Sequence, residues 1–288
     1  MRDDRVLRET RWLGAAIVPF LVVAFALLYV FPDDTRHWFA WDVQPTITPL
    51  MMGAGYIAGA YFFVRVARET RWHRIQVGFL PVTAFTLFMA IGTFNHLDRF
   101  ATAHVAFWIW VGLYVVTPVL VPLVWWRNRA TDPGTPEPGE PPLPAVVRPL
   151  LLTAGTAQSA IALVLLLSPS TMIEHWPWQL TPLTAQTLGG WFALPGVTAL
   201  MMGLDGRWTA IRITLESQLI GLALILLGTL RAWDDVDTSN ELAYVFVGGI
   251  AGLFAALLAL EWSMLARTLG TVAAGVSRAP RRRHPARR

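Results

Sequence analysis

Glu216 is the ionisable residue set deepest in an apolar run of this chain, and Arg212 precedes it by one helical turn in Arg-Ile-Thr-Leu-Glu. A charge inside a bilayer is costly, so such residues mark proton or cation routes unless a partner neutralises them. At i and i+4 on a helix the two side chains can pair, with the arginine stem reaching back toward the membrane surface. Glu216 and Arg212 therefore read either as a structural pair or as a proton or cation site. Gln158, Gln186 and Gln218 also interrupt apolar runs, and they suit either the lining of the same interior or hydrogen bonds between helices.

A second group lies in the connections on one side of the chain. His37, His96, His104 and His175 accompany Asp98, and imidazoles beside carboxylates bind zinc or copper or ligate haem. His96, Asp98 and His104 are the metal candidates of this set. They fall at helix ends, whereas a membrane haem needs two histidines facing each other from within helices. The same side carries Asp33, Asp34, Asp42, Asp98, Glu174, Asp234, Asp235, Asp237 and Glu241, an acidic mouth suited to cations, with Asp98 and Asp234 at corresponding places in two halves of the chain.

Absent residue types narrow the chemistry. There is no cysteine, and every one of the 23 basic residues is arginine. Thiolate and lysine Schiff-base mechanisms are excluded, as is metal binding by thiolates. No phosphate-binding glycine loop, nucleophile elbow or zinc-helix motif is present, and no cofactor can be assigned.

The elements that must position these groups are membrane helices. With 55% hydrophobic and 15% charged residues, 288 residues cannot clothe a soluble globule in polar surface. Apolar runs at 13–31, 47–66, 76–95, 103–126, 149–168, 184–203, 209–230 and 242–264 are each long enough to cross a hydrocarbon core of roughly 30 Å. The reading is all-α, a polytopic integral membrane protein of eight helices.

Two halves repeat. The stretch WPWQLTPLTAQTLGGWFALPG, from Trp176 to Gly196, has a twin at an offset of 137 (Trp41 to Trp178). Pro45 falls on Pro182, Gly53 on Gly190 and Gly59 on Gly196; one residue is then lost, and Arg71-Trp72 falls on Arg207-Trp208, Gly92 on Gly228, Asp98 on Asp234 and Trp126 on Trp262. The expected organisation is a four-helix repeat at 1–127, a Pro/Gly-rich linker at 128–147, a second repeat at 148–266 and a basic tail at 267–288. Four helices per repeat make the halves parallel, about an axis along the membrane normal. Gly53, Gly59, Gly190 and Gly196 mark helices 2 and 6 as lining a central site, or as closely packed helices.

Arginine placement orients the chain. All but Arg36, Arg99 and Arg231 of the 23 arginines fall on one side, which the positive-inside rule makes cytoplasmic, with both termini. The linker TDPGTPEPGEPPLP cannot hold a helix and is expected to be a mobile strap. The tail ending RRRHPARR suits anionic lipid head groups, and nothing around it supports nucleic-acid binding.

The motif WPWQLTPLTAQTLGGWFALPG with its following Gly-Arg-Trp turn resembles a group of multi-spanning membrane proteins of high-GC bacteria. The resemblance implies a bacterial inner-membrane protein; it carries no activity, so no functional residue is transferred. Three functions remain open: a carrier or channel for a small solute, ion or lipid; an accessory or cofactor-holding subunit of a larger membrane complex; and a membrane-embedded metal or redox enzyme using the outer histidines.

Overall fold

The computed structural model describes residues 2–277, and the basic run from Arg278 onward lies outside the described residues. The chain is all-α, and its eight membrane-length helices are α1 Arg8–Val30, α2 Ile47–Arg68, α3 Gln76–Asn95, α4 Val105–Thr131, α5 Val147–Leu167, α6 Pro182–Asp205, α7 Trp208–Arg231 and α8 Glu241–Thr271, the last continuing to Ser277. These fall on the eight runs read from the sequence, because an apolar run of about 20 residues has no other way to satisfy its backbone in a bilayer.

Burial separates the helices. In α2, 72% of the apolar window is buried, against 50% in α3 and α6 and 11% in α8, so α2 forms the centre and α8 the edge. The packing partners are α1 with α2, α5 with α6, α3 with α4 and α7 with α8; across the halves, α3 packs on α6 and α7 on α2.

Small residues let these helices approach. A Cβ on Gly221 of α7 would lie 3.3 Å from Ala58 Cβ on α2, and one on Gly228 would lie 3.1 Å from Leu50 Cβ. Ser217 seals the same contact by donating to the Ala58 carbonyl at 2.8 Å. Between α3 and α6, a Cβ on Gly92 would lie 3.5 Å from Gln186 Cβ.

The connections gather on two faces. On the arginine-rich face, the Asp4 N–H donates to Thr131 O at 3.0 Å and its carbonyl accepts from Trp72 N–H at 2.8 Å. On the acidic face, the Asp237 N–H donates to Pro177 O at 2.8 Å, and the Asp235 carboxylate accepts from the Ile47 N–H at the start of α2, 2.8 Å away.

The tryptophans divide by depth. Trp12 and Trp126 are exposed near helix ends, where an amphipathic ring anchors to the membrane interface, and Trp262 is exposed within α8. Trp41 and Trp178 are buried instead, and Trp178 Nε1 donates across the halves to Thr48 Oγ1 at 3.1 Å. Their rings pack on Phe39, Phe100 and Trp110 in one case and on Trp176 and Phe246 in the other.

Candidate functional site

The expected strap is pinned rather than loose. Its carboxylates carry the attachment: Asp132 accepts from Arg207 at 2.8 and 2.9 Å and from Gln76 at 2.6 Å. Glu137 accepts from Arg74 at 2.7 and 3.0 Å and pairs with Arg71 at 3.0 Å. Glu140 accepts from the Thr209 N–H and hydroxyl at 3.0 and 2.8 Å. Proline prevents a helix here but leaves the acids free to meet arginines of the 2–3 and 6–7 turns.

His73 is the buried histidine at the centre of this network. Its Nδ1 lies 2.6 Å from Asp4 Oδ2, and its Nε2 lies 3.0 Å from Glu137 Oε1 and 3.2 Å from Thr209 Oγ1. Asp4 sits at φ 54°, a left-handed conformation that aspartate tolerates, and also accepts from the His73 N–H at 3.0 Å. The Arg74 hydrogen bonds hold the Glu137 carboxyl below the ordinary carboxylate range, against a smaller upward push from burial. Burial pushes Asp132 up, but the Arg207, Gly134 and Gln76 contacts outweigh it and leave that carboxyl lowered. For Arg207, burial opposes the charge and the Asp205 and Asp132 carboxylates more than restore it, so it stays ionised. The whole network is a clamp joining the N-terminus, both arginine-bearing turns and the strap.

Glu216 and Arg212 do pair, at 3.0 Å, and the structure adds three further groups. Arg65 of α2 lies 2.9 Å from Glu216, the Tyr61 hydroxyl donates to the same carboxylate, and Glu261 of α8 receives Arg212 at 3.2 Å. Two arginines thus face two glutamates near the arginine-rich end of α2, α7 and α8. The cluster is charge-balanced, which supports its structural reading.

The outer candidates separate. Asp98 is exposed and pairs with its neighbour Arg99 at 3.2 Å, while Asp234 is exposed beside Asp235. His96 is half-buried and His104 exposed, and among the described residues no three His, Asp or Glu side chains form a group able to hold a metal ion. His96, Asp98 and His104 are therefore not brought together as a three-ligand centre.

What helices α2 and α6 enclose is apolar space. One cavity of about 470 Å³ lies among α1 to α4, and its walls include Leu21, Tyr56, Phe85 and Leu113. Another, of about 440 Å³, is walled by α2, α3 and α5 to α8 and includes Ala58, Gln158, Phe192 and Gly221. Gly55, Gly59, Val82, Trp191 and Leu194 line both. Trp191 is the partition: it lies edge-on to Tyr56 at 4.9 Å and over Gly55, where a Cβ would come within 2.1 Å of its ring. Among the described residues, no charged side chain lines either cavity.

The paired glycines take different parts. A Cβ on Gly53 would meet Tyr29 Cβ at 2.7 Å, one on Gly190 would meet Met89 at 2.7 Å, and one on Gly196 would meet Ser159 Oγ at 2.8 Å. These three positions are close helix contacts, while Gly59 lines both cavities. Gln186 bonds between helices, donating to Leu166 O at 2.8 Å and accepting from Asn95 at 3.2 Å; Gln158 and Gln218 line the second cavity. Trp191 escaped the sequence reading, although its counterpart at the repeat offset is Ala54, a departure visible in the alignment of the halves.

The chain matches no protein-family model, and no curated protein or solved structure is significantly similar to it. Function is read from geometry alone.

Proposed function

We propose that this protein is a carrier-type membrane protein for a lipid-soluble molecule, which it takes up in the apolar cavities on either side of Trp191. The observation that carries this is the shared wall: Gly55, Gly59, Val82, Trp191 and Leu194 bound two cavities that hold no charge. Both include exposed, bilayer-facing residues, Val23 and Ile109 in the first and Ile161 and Val245 in the second, so a ligand dissolved in the bilayer reaches them sideways. An ion would lose its hydration there with nothing to replace it. Among the solutes, ions and lipids open at the outset, the lining favours the last.

The duplication belongs to the same proposal. Gly92 of α3 approaches α6, and its counterpart Gly228 of α7 approaches α2, so corresponding residues make corresponding contacts across the halves. That exchange supports parallel repeats at 1–127 and 148–266 with α2 and α6 beside the pseudo-twofold axis. The arginine asymmetry supports reading the clamp face as the cytoplasmic face in a bacterial inner membrane, and the basic composition of the tail supports anionic lipids as its partner.

The test uses vesicles holding the protein and a neutral alkane that bears a photoactivatable diazirine. Illumination is expected to attach the probe to Trp191, Leu194 and Val82. Gly59→Leu should suppress those adducts without unfolding the protein, because its nearest foreign atom to a built Cβ is Leu21 Cδ1 at 3.4 Å. Labelling confined to outward residues such as Val119 and Leu163, unchanged by the substitution, would remove the proposal.

A further inference from the structure

Threonines inside these helices nearly always satisfy their hydroxyls locally. Thr83, Thr93, Thr117, Thr187, Thr198 and Thr229 each donate to the carbonyl four residues earlier, at 2.6–2.9 Å. Thr214 of α7 does not: it is 5% exposed, and its Oγ1 has no hydrogen-bond partner among the described residues. Gln218, one turn further along the same face, has a buried Nε2 that is also unpartnered. Trp176 and Trp191 add two buried indole N–H groups in the same condition. All four residues line the second cavity.

An unpaired buried polar atom costs about 1–3 kcal/mol, and more at the membrane depth of Thr214, Gln218 and Trp191, so four around one cavity call for a common cause. Three of the four groups can only donate. An indole N–H and an amide NH₂ only donate, and a hydroxyl can donate. The first cavity shares only the Trp191 indole: there Tyr56 and Tyr114 bond to each other at 2.8 Å, and Trp110 donates to Thr93 at 2.9 Å. At the repeat offset, Thr214 corresponds to Gly78 and Gln218 to Val82, so the donors on α7 belong to the second half alone.

The geometry points to an elongated apolar molecule carrying an uncharged hydrogen-bond acceptor, a ketone, ester or quinone carbonyl, as the ligand of the second cavity. This rests on the reading of the cavities as ligand sites and names the ligand's polar group. Its charge follows from the lining, since a carboxylate or phosphate would find no cation there. Its length follows from α7, whose lining residues run from Thr214 to Ile225, a rise of about 16 Å. The donor atoms lie just beneath the cavity wall, with almost no exposed surface of their own. Gln218 and Thr214 reach the cavity from one face of α7, while Trp176 stands in the connection before α6, toward the acidic face.

The experiment is competition against the diazirine alkane on the full chain in vesicles, with tridecane, 2-tridecanone and laurate as competitors. The ketone is expected to compete about tenfold better than the alkane of equal length, the worth of one or two neutral hydrogen bonds. A Thr214→Val, Gln218→Leu double variant should bring the ketone down to the level of the alkane, with alkane competition kept as proof of an intact cavity. Dioctanoylglycerol and a decyl-substituted benzoquinone then separate an ester lipid from a quinone as the source of the carbonyl. Equal competition by ketone and alkane would overturn the acceptor and leave the lipid-soluble reading standing; so would a ketone advantage that survives the double substitution, or preference for laurate. Failure of every competitor to displace the probe would overturn both.

Discussion

At the scale of single residues, the strap depends on carboxylates whose charge is stabilised by folding. Glu137 has an ordinary value of 4.5 and is held below it, chiefly by Arg74. A depressed carboxylate contributes stability that is fully present above the unfolded value and is lost as the pH falls through the folded one. Glu137→Gln should therefore melt earlier than the parent at pH 7, by about 1 kcal/mol for a partly exposed pair. The difference should close as the pH drops below about 4; a gap of unchanged size at pH 3 would show that the ion pairs do not hold the strap. A second prediction concerns Glu216, which gathers Tyr61, Arg65 and Arg212. Glu216→Leu leaves Arg65 without its carboxylate and should lower the unfolding midpoint in detergent by about 1–2 kcal/mol, discounted for the partial exposure of the arginines. Tyr61→Phe, which keeps both charges paired, should cost less. The reverse order would make the hydroxyl the anchor. Of these partners the sequence identifies only Arg212, by its i, i+4 spacing, because Tyr61 and Arg65 lie on another helix.

At the scale of helices, contact and open space predict opposite responses to the same change. Gly221 faces Ala58 across α7 and α2, whereas Gly248 of α8 has no atom within 4 Å of where a Cβ would stand. Gly221→Leu should force the central helices apart and destabilise by roughly 1–3 kcal/mol, while Gly248→Leu should remain within about 0.5 kcal/mol of the parent. Thermal unfolding of the two variants side by side decides it, and equal midpoints would mean that α2 and α7 do not pack as described. Existence and order of the helices were legible because each needs a long, predominantly apolar run, and no other segment supplies one. The glycine pairs were legible as special positions, yet not as contacts or cavity lining, since that depends on which neighbour each meets. Gly53 meets Tyr29 of α1 and its counterpart Gly190 meets Met89 of α3. The inward turn of Trp41 and Trp178 was illegible for a related reason: it depends on the rings that they pack against.

At the scale of the whole molecule, arginine asymmetry and the clamp agree on one face. The N-terminus, the 2–3 turn, the strap and the 6–7 turn are hydrogen-bonded together, so they lie on one side of the helices. A chain without cysteine allows a direct check on which side that is. Thr135→Cys on the strap and Ser239→Cys before α8 are both exposed positions. In intact cells a membrane-impermeant maleimide should label Ser239→Cys alone, and the opposite pattern would invert the orientation. The strap itself was illegible as structure: its proline and glycine content removes a helix, but its acids find their partners only when distant turns are folded against it. The central claim is that the space around Trp191 holds a lipid-soluble ligand, and native mass spectrometry of protein extracted gently from its own membrane tests it most directly. The account predicts a bound neutral species that survives extraction from the parent protein and is lost in Gly59→Leu. A parent and variant that carry the same molecules, or none, would contradict it.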